Sequence, residues 1–99
     1  MNRINISLFL KHTDLAALIA QAQHVLKMQA VARRLGLDWY EEADQGGFRD
    51  FFVEVETERL AEVLTALKGA GVKHGTVDVE DNAAEEIARN FGGLVWERV

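Results

Sequence analysis

The chain has 99 residues, of which 48% are hydrophobic and 27% charged, and its net charge is −5. This length and composition indicate one globular domain over residues 1–99 and exclude a disordered chain. The absence of cysteine excludes disulfides, thiolate metal sites and a cysteine nucleophile, and it favours a cytoplasmic protein. No apolar stretch reaches the length of a membrane span or resembles a signal peptide.

The charge is distributed unevenly along the chain. Residues 1–37 carry five basic side chains and one acid, whereas residues 38–62 carry two basic side chains and nine acids. An acidic protein repels phosphate backbones, so nucleic acid is a disfavoured partner. The acidic segment instead favours a basic protein partner, with Glu41, Glu42 and Asp44 as the contact surface.

Strict alternation of apolar residues near the start of the chain predicts a β-strand over about residues 3–10. The residues that share its buried face are Ile4, Ile6, Leu8 and Leu10. A long helix follows, with Thr13 or Asp14 as its N-cap. It is predicted to run to Leu35 and to end at Gly36, because glycine readily adopts the left-handed conformation that ends a helix.

This first helix carries two apolar stripes on opposite sides. The stripe predicted to lie on the sheet contains Leu15, Leu18, Ile19, Ala22, Val25, Leu26, Gln29 and Ala32. The second stripe contains His24, Met28, Val31 and Leu35. Its spacing is typical of a helix–helix seam, so we expect it to contact a short third helix or a second copy of the chain. No histidine has the neighbours of a zinc motif, and neither a metal nor a cofactor is expected.

A β-hairpin is predicted next. Strand two runs from Leu37 to Ala43 and strand three from Arg49 to Glu56, and the glycine-rich residues 44–47 form the turn. In strand three, one face carries Phe51, Val53 and Val55, and the other carries Phe52, Glu54 and Glu56.

The second half of the chain repeats the pattern. Thr57 caps a second helix that ends within residues 69–71, and strand four covers about residues 72–80. Asp81 or Asn82 caps a short third helix, and residues 94–99 form a last strand. We expect this last strand either to extend an edge of the sheet or to pair with a second molecule.

The order strand–helix–strand–strand–helix–strand is that of a ferredoxin-like α+β fold, with two helices on one face of an antiparallel sheet. The third helix and the last strand are a C-terminal extension. The other face of the sheet is left without the two main helices, and the strand parity places Phe9, Tyr40 and Phe52 on it. Exposed apolar surface usually marks an interface, so a second copy or the third helix is expected to cover this face.

No catalytic motif is present, because the single serine lacks a nucleophile elbow and the adjacent glutamate pairs point in different directions. The sequence therefore predicts a small non-enzymatic interaction or regulatory module, homodimeric and binding another protein. Two alternatives remain open. A dimeric α+β barrel would enclose a small ligand or a catalytic site, with Trp39, Tyr40, His74 and Asp78 as the groups to consider. RNA stacking on the sheet aromatics is the other hypothesis, which the acidic neighbours oppose.

Overall fold

The computed structural model describes residues 1–11, 13–92 and 94–99. The elements in chain order are β1 (Asn2–Phe9), α1 (Leu15–Leu35), β2 (Trp39–Ala43), β3 (Phe48–Val55), α2 (Thr57–Gly69), β4 (Thr76–Val79), α3 (Asn82–Arg89) and β5 (Val95–Arg98). The predicted order of elements is confirmed. β4 is shorter than predicted, and just before it Gly75 has a φ of 154°. A Cβ at this position would lie 2.8 Å from the carbonyl oxygen of Asn5, so only glycine fits here.

The strands form one sheet in the order β2-β3-β1-β4-β5. The pairs β2–β3, β3–β1 and β1–β4 are antiparallel, whereas β5 runs parallel to β4. Of the two predicted pairings for the last strand, the structure has the one that extends the sheet within the same chain. The architecture is α+β, with one mixed five-stranded sheet and helices α1, α2 and α3. Among the described residues, no helix is both long and apolar enough to cross a membrane.

The three helices pack on one face of the sheet. This face is formed by alternate strand positions, which contribute Ile4, Ile6, Phe51, Val53, Val55, Val77 and Val79 to the core. α2 adds Leu60, Val63, Leu64 and Leu67. α3 packs beside α2 and adds Ala84 and Ala88. The third helix therefore does not fold over the opposite face, which we call the open sheet face.

Both ends of α1 lie where the sequence predicts them. Asp14, one of the two predicted caps, accepts hydrogen bonds from the backbone N–H groups of Ala16 and Ala17. Gly36 ends the helix in the left-handed conformation with a φ of 68°. Local sequence alone determines these features, because capping depends on only a few neighbouring residues.

The rotation of α1 about its axis differs from the prediction by roughly 100°. Val25 and Ala32 of the stripe predicted to lie on the sheet are buried as expected. Met28 is fully buried and Val31 nearly so, whereas Leu15, Ile19 and Leu26 are 68%, 58% and 62% exposed. The predicted partner-contacting stripe instead packs toward the interior of its own chain, and its members are His24, Met28, Val31 and Leu35. The prediction was wrong for the three exposed residues and for the second stripe, because helical periodicity identifies the apolar stripes but not the exact side that the sheet covers.

A buried amide links four elements of the fold. Asn2 is fully buried, and its Nδ2 donates to the carbonyl oxygen of Val55 (3.0 Å) and to Thr57 Oγ1 (3.1 Å). Its Oδ1 accepts from the backbone N–H of Glu80 at 3.0 Å. The Thr57 hydroxyl in turn donates to Asp81, the N-cap of α3. This network satisfies polar groups that burial would otherwise leave unpaired.

Candidate functional site

The outward side of α1 presents an apolar stripe to solvent. Leu15, Ile19, Ala22 and Leu26 follow one another at spacings of four, three and four residues, and we call these four residues the α1 stripe. The three large side chains are each more than half exposed, and Ala22 is partly buried. This spacing is the one by which a helix packs against another helix. The stripe is therefore the first candidate binding surface.

A groove lies beside the α1 stripe, between the helix and the β2 side of the sheet. Its volume is about 280 Å³. Its apolar lining comes from Leu8, Ala22, Val25, Leu26, Trp39 and Phe51. The rings of Trp39 and Phe51 lie 5.9 Å apart. Because Ala22 and Leu26 belong to both features, the groove extends the apolar surface of the stripe.

A charged residue could have revealed the exposed side of α1 in advance. Arg33 lies eighteen residues after Leu15, which is a whole number of helical turns, so both residues share one line along the helix. A guanidinium on that line indicates contact with water, since unpaired charges avoid the core. Sequence reasoning counted the apolar residues of the stripe and did not use the position of this arginine around the helix axis.

The open sheet face carries the three aromatic residues that the sequence placed there, but they differ in accessibility. Tyr40 is 40% exposed and stacks on Phe52, with ring centroids 5.2 Å apart. The Arg3 guanidinium lies 4.2 Å from the centroid of the same Phe52 ring. Phe52 is thereby only 4% exposed within one chain. Phe9 contacts Phe48, an exposed ring that sequence reasoning did not single out.

The strand register arranges the open sheet face into alternating rows. The first acidic row is Glu54, Arg3, Asp78 and Glu97. The first aromatic row is Tyr40, Phe52, Asn5, Thr76 and Val95. The second acidic row is Glu42, Asp50 and Ser7, and the second aromatic row is Phe48 and Phe9. Among the paired strand residues that the structure describes, five carboxylates and one guanidinium therefore face the same side of the sheet.

The three acids predicted to dock a basic partner have different surroundings. The indole N–H of Trp39 and the guanidinium of Arg49 donate to Glu41, and they lower the pKa of that carboxyl. Asp44 accepts from the backbone N–H groups at 46 and 48 and so stabilises the hairpin turn. Glu42 is exposed on the open sheet face. Of the three, Glu42 is the carboxylate most accessible to a partner.

Two histidines meet between α1 and the segment before β4. The rings of His24 and His74 are 4.8 Å apart in an edge-to-face arrangement. Burial lowers the pKa of His24, and the nearby His74, Lys27 and Lys73 lower it further. Among the described residues, no group of three or more His, Cys, Asp or Glu side chains could hold a metal ion.

The residues of the ligand-site hypothesis do not converge within one chain. Trp39 lines the groove beside α1, whereas Tyr40 lies on the open sheet face. Asp78 borders a depression on the open sheet face, and His74 packs against His24. These four side chains therefore occupy separate places in the fold.

Comparison with known proteins gives no assignment. No protein-family model, no curated protein and no solved structure matches this chain.

Proposed function

We propose that this protein is a small non-enzymatic interaction module that self-associates through the α1 stripe and the adjoining groove. One observation carries the proposal: three large apolar side chains on one helix face are each more than half exposed. Contiguous apolar surface of this kind marks binding sites in soluble proteins. We also propose a cytoplasmic location, because a chain without cysteine does not depend on an oxidising compartment.

The same proposal includes a ferredoxin-like core for the first six elements. The order β2-β3-β1-β4 with antiparallel neighbours supports it, because each helix then connects two strands that have a third strand between them. In this plan both main helices lie on one face of the sheet, as α1 and α2 do. α3 and β5 are the extension.

A second copy of the chain is the occupant that fits the α1 stripe. If two α1 helices pack antiparallel and cross near Ala22, Ile19 of each copy faces Leu26 of the other. Leu15 of each copy then faces Ala30 of the other. Ala22 is small, so the helices approach closely at the crossing point. The stripe is thus complementary to itself under a two-fold rotation.

The charges on α1 favour the antiparallel arrangement. Lys27, Arg33 and Arg34 lie in the C-terminal half of the helix, and Asp14 caps its N-terminus. In a parallel pair the basic side chains of the two copies would lie side by side and repel. In an antiparallel pair, Arg33 of one copy approaches Asp14 of the other, and the helix dipoles oppose each other favourably.

The apolar area is sufficient for a weak dimer. Completing the burial of the three large side chains in both copies contributes about 6–12 kcal/mol, at about 1–2 kcal/mol for each partly exposed side chain. Association costs about 4–15 kcal/mol in lost translational and rotational freedom. The most favourable combination leaves about −8 kcal/mol, so the dimer is no tighter than micromolar, and we expect a Kd between micromolar and millimolar.

The first test is the mass in solution, measured by sedimentation equilibrium up to about 1 mM protein. This concentration reaches the weakest dimer expected, since a Kd of about 1 mM corresponds to about −4 kcal/mol. We expect the mass to rise with concentration from 11.1 kDa toward twice that value. Leu26→Lys should abolish the rise. The matched control is Leu10→Lys, because Leu10 is 52% exposed and lies outside α1. This variant should show the same rise in mass as the natural chain. A folded protein with the mass of one chain at every concentration would contradict the proposal.

Single cysteines give a second test of the geometry, because the natural chain has none. Ala22→Cys lies at the crossing point and should form a disulfide-linked dimer on mild oxidation. Leu15→Cys should not, because the two copies of residue 15 lie about 22 Å apart in the antiparallel pair at 1.5 Å rise per residue. Efficient cross-linking of Leu15→Cys would show a parallel pair instead.

A further inference from the structure

The open sheet face has a charge pattern that the proposed dimer does not use. Its two acidic rows carry Glu42, Asp50, Glu54, Asp78 and Glu97. The one guanidinium on this face, Arg3, already contacts Glu54 at 3.9 Å and covers the Phe52 ring. The N-terminal ammonium of Met1 lies beside the same acids and pairs with Glu80. The carboxylates still outnumber these two cations, so the face is negative overall.

The rows also have a regular spacing. Successive rows are two residues apart along each strand, which corresponds to about 6.7 Å. The same distance separates side chains that share one face of any extended segment. A strand lying along the sheet would therefore meet an acidic row, an aromatic row, an acidic row and an aromatic row in turn.

We propose that the open sheet face binds an extended, basic segment of another protein, in which Lys or Arg alternates with apolar residues along one face. The basic side chains lie on the acidic rows, where charge complementarity selects the partner and speeds encounter. The first of these positions is a depression with a volume of about 530 Å³, bordered by Met1, Arg3, Glu54, Asp78 and Val99. The apolar side chains lie on the exposed rings of Tyr40 and Phe48.

The same charges disfavour the alternative occupants of this face. The phosphates of RNA would meet the carboxylates of both acidic rows, and stacking on the exposed rings of Tyr40 and Phe48 does not offset that repulsion. A second copy of this chain would place acidic rows against acidic rows. Antiparallel sheets tolerate one solvated face, so the face needs no cover in the free protein.

This inference deepens the proposed function by naming the chemistry of the partner, and it uses the face of the sheet opposite α1. An experiment can therefore contradict either proposal without contradicting the other. Loss of self-association in Leu26→Lys should leave segment binding unchanged, and loss of segment binding should leave the mass in solution unchanged.

The test uses the synthetic peptide Lys-Thr-Leu-Thr-Lys-Thr-Leu-Thr, which presents both Lys and both Leu on one face. Its binding to the 99-residue chain is followed by NMR chemical-shift changes at low salt, with peptide up to about 1 mM. We expect shifts at Tyr40, Phe48 and Asp78, and weaker binding as salt rises. The control peptide Lys-Leu-Thr-Thr-Lys-Leu-Thr-Thr has the same composition but its Leu side chains on the other face, and should bind several-fold more weakly.

Charge variants locate the binding site. The triple variant Glu42→Gln, Asp78→Asn, Glu97→Gln should weaken peptide binding at least about tenfold, which is 1.4 kcal/mol. A matched triple variant on the helix side, Glu58→Gln, Glu62→Gln, Glu86→Gln, removes the same charge and should weaken it much less. Absence of shifts on the open sheet face, equal effects of the two triple variants, or tighter binding of single-stranded RNA than of the peptide would each overturn the inference.

Discussion

The ring of Tyr40 stacks on the ring of Phe52, with centroids 5.2 Å apart and planes 18° from parallel. Tyr40 comes from β2 and the Arg3 guanidinium over the same ring comes from β1, the two strands that flank β3. Phe52 is thereby buried on a sheet face that no described helix covers. Cross-strand neighbours alone provide this burial, and stacked aromatic pairs add to it.

Replacing Phe52 should therefore lower the free energy of unfolding as much as a substitution in the core does. We expect Phe52→Ala to lower the free energy of unfolding by about 3 kcal/mol, because it removes a buried ring and leaves Tyr40 and Arg3 without their contact. Phe48→Ala is the matched control on the same strand and the same face, and its ring is 42% exposed. It should cost less than about 1 kcal/mol. Urea denaturation of both variants measures the difference, and equal losses would contradict the burial argument.

The rotation of α1 predicts opposite behaviour for two residues only half a turn apart. Met28→Ala should lower the free energy of unfolding by about 3 kcal/mol, because it leaves a cavity at a fully buried position. Leu26→Ala should change it by less than about 0.5 kcal/mol in dilute solution, where the protein is monomeric. Urea denaturation at low protein concentration is the measurement. The reverse ranking would restore the helix orientation that periodicity first favoured.

Sequence reasoning found the elements because they depend on local patterns. The alternation of Ile4 and Ile6 with polar residues predicts β1, and the glycines at 46 and 47 predict the hairpin turn. Asp14 and Gly36 predict both ends of α1. Each of these signals lies within a few residues of the structure it determines.

The burial of Phe52 and the orientation of α1 could not be predicted in the same way. Phe52 is covered by Arg3, which lies 49 positions earlier in the chain, and only the strand register brings the two together. α1 has two apolar stripes, and its orientation is decided by how Met28 and Val31 fill the space beside the sheet and α2. Packing of this kind depends on all neighbours at once. The position of Arg33 offered the sequence's one hint to the exposed side of α1, whereas the alternating rows depend on the strand register.

The buried amide of Asn2 should be important for stability, although Asn2 is only the second residue of the chain. Asn2→Ala removes three hydrogen bonds and leaves the Glu80 N–H without its acceptor. We expect a loss of about 2–4 kcal/mol, because three hydrogen bonds at about 0.5–1.5 kcal/mol each are lost and a partly buried N–H is left without its acceptor. Asn5→Ala is the matched control on the same strand, since Asn5 Oδ1 is buried and has no hydrogen-bond partner in the described part of the chain. It should be nearly neutral, and similar losses for both variants in thermal or urea denaturation would contradict the role of the network.

His24 should make the stability of the fold depend on pH. Burial, with His74, Lys27 and Lys73 nearby, holds the pKa of His24 below its ordinary value of 6.5, so the folded chain binds this proton less readily than the unfolded chain. The contribution of His24 is therefore fully present above pH 6.5 and is lost as the pH falls below it. In His24→Gln the urea midpoint should decline less on acidification, whereas contributions from carboxylates remain the same in both proteins. Removing one neighbouring charge with His74→Gln should have a smaller effect in the same direction, and parallel pH profiles for all three proteins would contradict the assignment.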